Sequence, residues 1–422
     1  MDFDLSDDQR AIADLAATIL ADRCPPERLR QLERDRAPMA AEAWAALAAA
    51  DLLGLALPTS LGGSGLGLLE ACLVAEQVGR HVAPVPYWSA TAAATTLDRW
   101  GSAAQRSRWL PGVIDGSTPV TVALWEPGAL GIVPRPAVRA IRDGEGWRLD
   151  GVKQPVPWAS RAGAMLVPAR LAGDVDGGGG RVDAGAGVGV GAATDGSDTA
   201  VFVVEPGTPG VTIVDAASFA AEPQHTVTFD AARVRDDALV RSAGEPGHVA
   251  AWLRRRCTAL LCATALGVAE EALALTARHV SQREQFGVPI GTFQAVAHRC
   301  ADAYIDTEGI RLTTWQAAWQ LDAGLDADDA LDVAAYWVAD GGQRVVHAAQ
   351  HLHGGIGVDV DYPLHRYFRW AKVLELLLSG STGSLLRLGA SLATTPRETL
   401  DAPDEPRPAP TPQPRAQTPV AP

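Results

Sequence analysis

Two stretches hold residues whose types and spacing suit chemistry. The first runs Ser281-Gln-Arg283-Glu-Gln285-Phe286-Gly287-Val-Pro289-Ile290-Gly291-Thr-Phe293-Gln294. Arg283 carries a planar fork of donors that matches a pyrophosphate, Phe286 can pack on a flat ring, and Gln285 and Gln294 offer amide donors. Read alone, this stretch is either a ligand-binding segment or a capped turn between helices. The second runs His351-Leu-His353-Gly354-Gly355-Ile356-Gly357 and continues to Asp361-Tyr362-Pro363-Leu364-His365-Arg366. Adjacent glycines after a helix allow an anion or ring to approach the backbone closely. His351, His353 and His365 form a metal cluster by composition only, because their spacing fits no helical metal motif. Gly63-Ser-Gly65-Leu-Gly67 has the composition of a dinucleotide fingerprint, but it joins two helices and follows no strand. It reads as a tight loop that uses glycine's backbone freedom.

The elements that must position these residues follow from periodicity. Ser6-Asp-Asp-Gln9 is a capping box ahead of Ile12, Leu15 and Ile19. Helices are expected near 40–53, 68–79 and 89–99, with a glycine-rich loop over 58–67. Near Pro119 the period changes from about 3.6 to 2. Strands are expected at 120–124, 165–169, 199–204, 211–214 and 226–229, and a hairpin turns at Asp143-Gly144-Glu145-Gly146. Residues 171–197 are dominated by Gly, Ala and Asp and read as a flexible surface loop. From about Gly247 the helical period returns, with helices expected over 248–281, 292–322, 327–350 and 364–393, the third open to a kink at Gly341-Gly342. The last 22 residues hold eight prolines and read as a disordered tail. The expected organisation is a helical domain over 1–118, a β domain over 119–246, a helical bundle over 247–398 and a tail over 399–422.

Composition limits the function classes. The 422 residues suit two or three domains, and the formal net charge of −14 argues against a general nucleic-acid binder. The acidic start is unlike a signal or transit peptide. Ala40–Pro58, the most membrane-like stretch in this reading, contains Glu42 and Asp51, so no membrane span is expected. The five cysteines (Cys24, Cys72, Cys257, Cys262 and Cys300) are scattered, form no CxxC pair and fit a reducing cytoplasm as small buried hydrophobes.

Together the two stretches resemble the acyl-CoA dehydrogenase family, and the resemblance covers almost the whole chain. Phe3-x-Leu5-Ser6-x-x-Gln9 matches its first helix, and Leu57-Pro58-x-x-Leu61-Gly62-Gly63-Ser64-Gly65 matches its P-x-x-x-G-G-x-G loop. Glu126-Pro127-Gly128-Ala129 matches part of its T-E-P-x-A-G-S-D segment, and Leu149-x-Gly151-x-Lys153 matches the entry to a core strand. The resemblance implies an α+β fold: an N-terminal α-helical domain, a middle β-barrel or sandwich domain and a C-terminal four-helix bundle. It also implies FAD at a subunit interface, an acyl-CoA substrate and electron-transfer flavoprotein as acceptor. In the family a glutamate takes the α-proton of the thioester while the β-hydrogen leaves as hydride to the flavin.

Carried over residue by residue, the resemblance divides. Arg283, Gln285, Phe286 and Gln294 match the positions that reach a neighbour's FAD. Gly354 and Gly355 match the paired glycines near its adenine and pyrophosphate, with His351 where a glutamine is usual. The other half departs from the pattern. The family's W-I-T-N, which lies against the flavin, reads Pro155-Val156-Pro157-Trp158, and the threonine before Glu-Pro is Trp125. The two places where relatives keep the catalytic glutamate hold Cys257 and either Leu378 or Ser379; Glu375 lies three or four residues from the latter. The resemblance therefore implies the glutamate-lacking partner subunit of a heteromeric, actinobacterial steroid-type enzyme, completed by a glutamate-bearing paralogue. A self-sufficient flavoenzyme or homodimer with another base or reaction, such as a flavin monooxygenase, and a non-catalytic interaction subunit are the alternatives.

Overall fold

The computed structural model describes residues 4–37, 39–172, 198–241 and 247–394. Six helices open the chain: α1 Asp7–Arg23, α2 Pro26–Arg34, α3 Ala41–Ala49, α4 Leu68–Arg80, α5 Tyr87–Trp100 and α6 Ala103–Ile114. The Ser6 hydroxyl accepts from the Gln9 amide at 3.2 Å and the Gln9 side chain accepts from the Ser6 N–H at 3.0 Å, as the capping box requires. Ser102 and Gln105 repeat the device at α6. Sequence periodicity did not reveal α2 or α6. α2 opens on proline at its first position, a helix-start signal, and Pro111 lies inside α6.

Eight strands follow: β1 Val120–Val122, β2 Arg139–Asp143, β3 Gly146–Pro157, β4 Ala164–Ala172, β5 Thr199–Val204, β6 Val211–Ala216, β7 Gln224–Arg235 and β8 Leu239–Val240. They form one mixed sheet in the order β6-β7-β3-β2-β4-β5-β8, with β1 parallel to β4. The β2–β3 hairpin turns on Gly144, whose φ of 62° suits a turn with glycine first. Leu171 and Ala172, read as the start of the flexible loop, belong to β4; the rest of that segment lies outside the described residues. So do 395–398 and the proline-rich tail.

Alternation along the strands joins the sheet to the helices. Met165, Val167, Phe202 and Val204 fill the interior of the sheet domain, while Ala164, Leu166, Val201 and Val203 belong to the helical core. Successive strand residues face opposite sides, so β4 and β5 serve both cores at once.

The chain closes with α7 His248–Gln282, β9 Glu284–Gln285, β10 Val288–Pro289, α8 Gln294–Asp322, α9 Asp328–His353, α10 Leu364–Leu377 and α11 Gly380–Thr394. The single helix expected over 364–393 is two helices, broken where Ser379 and Gly380 take φ of 80° and 63°. Gly341 and Gly342 lie within an unbroken α9. α4 and α7 cross closely: a Cβ on Gly79 would sit 1.9 Å from the Thr264 carbonyl oxygen, and one on Gly267 1.9 Å from that of Glu76. Only glycine permits that approach. α7 is also long and apolar enough to cross a membrane, and 78% of its most apolar window is buried inside the fold. Among the described residues it, rather than Ala40–Pro58, is the helix that meets this test.

Candidate functional site

The two chemistry-bearing stretches meet at one end of the C-terminal helices. His279, one turn before the end of α7, stacks on His353 at the end of α9 with ring centroids 4.3 Å apart. The His353 ring also contacts the Ala349 carbonyl oxygen at 2.8 Å and the Tyr362 hydroxyl at 3.1 Å. Burial lowers the affinity of both histidines for a proton, and the Arg283 charge lowers that of His279 further. Positive charge at this corner therefore resides on Arg283 rather than on the imidazoles.

Beyond Arg283 the chain turns back on itself in a two-residue hairpin between β9 and β10. Phe286 and Gly287 form the turn with φ of 53° and 80°, the pattern of a type I′ turn. A left-handed conformation is unfavourable for a bulky L-residue. Phe286 adopts it while 94% exposed, its nearest ring contact being Phe293 at 6.2 Å. Among the described residues, the Arg283 side chain makes no ion pair or hydrogen bond. Gln285 reaches only the Glu284 carbonyl, at 2.8 Å. Gln294 is the exposed first residue of α8, a helix whose N-cap position, Phe293, supplies no side-chain acceptor. An uncapped helix start carries positive character and free N–H groups.

At the α9 turn, Gly354 has φ of 62° and ψ of −139°, a conformation that belongs to glycine. A Cβ on Gly355 would meet nothing within 4 Å, so packing inside this chain does not explain the missing side chain. His351 is exposed on the same turn. Arg283, Phe286, His351, Gly354 and Gly355 thus make an open surface of donors, one aromatic face and bare backbone, suited to an anionic group joined to a flat ring.

The positions around Leu378 are of the opposite kind. Leu378 and Cys257 are buried, and desolvation pushes the Cys257 thiol well above the usual range. Buried Ser379 accepts from the Arg387 guanidinium at 2.9 Å, which in turn donates to Asp332 at 2.8 Å. Glu375 pairs with Lys372 at 2.6 Å. Three tryptophans fill the neighbouring space: Trp88, Trp125 and Trp158 are 1%, 3% and 0% exposed. Trp125 donates to the Leu377 carbonyl at 2.9 Å and meets Trp88 edge-on at 6.0 Å. Trp88 and Trp158 both donate to one oxygen of Glu222, at 2.8 and 3.1 Å, and Gln224 donates to the other at 2.9 Å. Burial raises the Glu222 carboxyl to about 7 against those three hydrogen bonds, which pull it down.

The matched Glu126 and Lys153 have a structural part here. The Lys153 ammonium donates to Glu126 at 2.7 Å, and the Ala137 and Val138 amides donate to the same carboxylate at 2.6 and 3.1 Å. Both side chains are buried, and each answers the other's charge.

Sequence reading missed Trp88 and Glu222. Their partners lie 134 and 64 residues apart along the chain, so no local pattern joins them. A signal was present in the 12 tryptophans, as many as the 7 phenylalanines and 5 tyrosines together. That excess of indole N–H groups demands buried acceptors.

Models of the acyl-CoA dehydrogenase N-terminal and C-terminal domains match residues 6–117 and 256–391. The chain is 38% identical over 405 residues to acyl-CoA dehydrogenase FadE27 of Mycobacterium tuberculosis (strain ATCC 25618 / H37Rv), covering 94% of this chain and all of that protein. The crystal structure of the ChsE4-ChsE5 complex from Mycobacterium tuberculosis matches with a TM-score of 0.83 and 37% identity, covering 94% of this chain and 100% of that one. A variant of the Tcur3481-Tcur3483 steroid ACAD matches with a TM-score of 0.81 and 39% identity, covering 92% of this chain and 98% of that one. With both terminal domains recognised and near-complete coverage by its relatives, the chain belongs to the acyl-CoA dehydrogenase family of oxidoreductases.

Proposed function

We propose that the chain is the partner subunit of a heteromeric, FAD-dependent acyl-CoA dehydrogenase that desaturates an acyl-CoA thioester between its α and β carbons. One observation carries this reading: an open, donor-rich corner and a closed, tryptophan-filled corner coexist in the same chain. The open corner fits part of an FAD. Arg283 would face the pyrophosphate, Phe286 would cover a ring, Gln285 and Gln294 would donate to polar edges, and His351 with Gly354–Gly355 would line the approach. Bound FAD would supply the hydride acceptor, and electron-transfer flavoprotein is the acceptor expected downstream.

The closed corner does not fit a flavin ring of this chain's own. Pro155 and Pro157 have no N–H to offer, and the indole donors of Trp88, Trp125 and Trp158 are already used inside the chain. Ser379 and Gly380 both take left-handed φ, so either fits the glycine of Y-E-G-T, and the glutamate's place falls at Leu378 or Ser379. Neither a leucine nor a serine hydroxyl held by the Arg387 guanidinium replaces a carboxylate base, so in this reading a second, glutamate-bearing subunit supplies it. Two similar structures, described as a ChsE4-ChsE5 complex and a steroid ACAD with two named components, support a paralogous partner and a bulky steroid-type acyl group. The five unpaired thiols suit a reducing cytoplasm.

The purified chain alone is expected to be colourless and inactive, and co-expression with a glutamate-bearing paralogue to give a yellow, active complex. In that complex Arg283→Ala should strip the flavin, read by absorbance, while the subunits still co-elute. A chain that is yellow and desaturates acyl-CoA alone overturns the reading. Full flavin content in the Arg283→Ala complex overturns the assignment of Arg283.

A further inference from the structure

A cavity of about 290 Å³ lies between α2, the turn after α4, the segment before β7, and α10. Leu29, Leu32, Val82, Pro84 and Ala220 give it an apolar wall. Two further lining residues carry N–H groups without an acceptor among the described residues. The Arg366 side chain is 6% exposed. Its Nε and Nη2 donate to the two oxygens of Glu33 at 2.8 and 2.6 Å, while its buried Nη1 finds no acceptor among the described residues. Trp370 is 5% exposed, and its buried Nε1 likewise finds none.

A buried donor left unsatisfied costs roughly 1–3 kcal/mol, so two beside one cavity call for an acceptor. The two carboxyl groups that line it are engaged. Glu33 holds Arg366, and both oxygens of Glu222 accept from Trp88, Trp158 and Gln224. Two more guanidinium groups line the cavity. Arg369 donates to the Phe219 carbonyl, and neither it nor Arg36 forms an ion pair among the described residues. The cavity therefore offers donors, positive charge and apolar surface, and every carboxyl facing it is already hydrogen-bonded. A water could answer one donor but would leave the apolar wall uncovered.

We propose that this cavity binds a small monocarboxylate with a compact apolar body, its carboxylate accepting from Arg366 Nη1 and Trp370 Nε1. The site is separate from the open corner and independent of the functional reading above, because its test needs neither flavin nor turnover.

The test is calorimetric titration of the full chain, alone and in its assembled complex, with cyclohexanecarboxylate and with the uncharged cyclohexanecarboxamide. Saturable binding of the acid, at least tenfold tighter than of the amide, is expected. Trp370→Phe keeps an aromatic ring but removes the donor, and should weaken binding about five- to tenfold, the worth of one hydrogen bond. Ala220→Leu touches neither donor and should abolish binding by filling the space, with the circular dichroism spectrum unchanged. Absence of saturable binding, equal affinity for acid and amide, or unaltered binding in well-folded Ala220→Leu protein overturns the proposal.

Discussion

At the hairpin after α7, Phe286 is 94% exposed and Arg283 has no partner among the described residues, whereas around Leu378 three tryptophans at most 3% exposed use every indole donor within the chain. Both regions belong to the same set of C-terminal helices and their contacts with the sheet. One bears an unfavourable backbone conformation to display an aromatic ring. The other is filled by buried, packed side chains. Left-handed backbone occurs in both, at Phe286 in the open corner and at Trp158 and Ser379 in the closed one, so what separates the two is exposure rather than strain. Substitutions at the two corners should therefore behave differently, and they offer ways to break or sharpen the contrast.

The largest effect is expected at the closed corner. Leu378→Glu buries a carboxylate among apolar neighbours and should destabilise the chain by roughly 3–5 kcal/mol, read as a lower urea midpoint. It should give no desaturation by the chain alone. A variant that stays stable and turns over acyl-CoA would show that the corner is an active site lacking only its base.

The next effect concerns Glu222, whose carboxyl is raised to about 7 by burial. The native state holds this proton more tightly than the unfolded chain does. The contribution is complete below the ordinary glutamate range and is lost as pH rises through about 7, to a total of order 3 kcal/mol. Glu222→Gln keeps an acceptor for both indoles, and the unpartnered Gln224 Oε1 can receive its amide. The variant should gain stability relative to the parent between pH 5 and pH 8 in urea titrations. Parallel curves for the two proteins would mean that Glu222 is ionised throughout, and that the corner is wetter than its tryptophans suggest.

The smallest effect lies at the open corner and has opposite signs in two measurements. Phe286→Asn relieves the left-handed strain of a bulky residue and should stabilise the isolated chain by about 1 kcal/mol in thermal unfolding. The same change should reduce flavin retention in the complex, because the exposed ring is removed. Unchanged flavin content would place Phe286 outside the ligand surface and leave its exposure unexplained.

Some of this was legible in the sequence and some was not. The Ser6–Gln9 cap, the change of period near Pro119 and the return of helix near Gly247 are local patterns, and the structure keeps them. The break between α10 and α11 escaped because Ser379, rather than glycine, takes the first left-handed position. The donor-rich stretch was visible because Arg283, Phe286 and Gly287 are close in sequence, yet its hairpin was not, since phenylalanine is an unlikely residue at φ of 53°. The closed corner joins α5, the segment after β1, the end of β3 and the segment before β7 through side chains far apart along the chain, and only the fold brings them together.

α7 links the two corners in a way that neither reveals alone. It is 35 residues long, about 52 Å at helical rise, and carries Cys257 in its first half and Arg283 just past its last turn. A continuous helix clamped against α4 by facing glycines works as a ruler: it fixes how far Arg283 stands from Cys257, whatever side chains occupy either end. On the proposed function, the side chain at position 257 can change while Arg283 keeps its reach, so a partner subunit of this design could give up its own base without losing its grip on a neighbour's flavin.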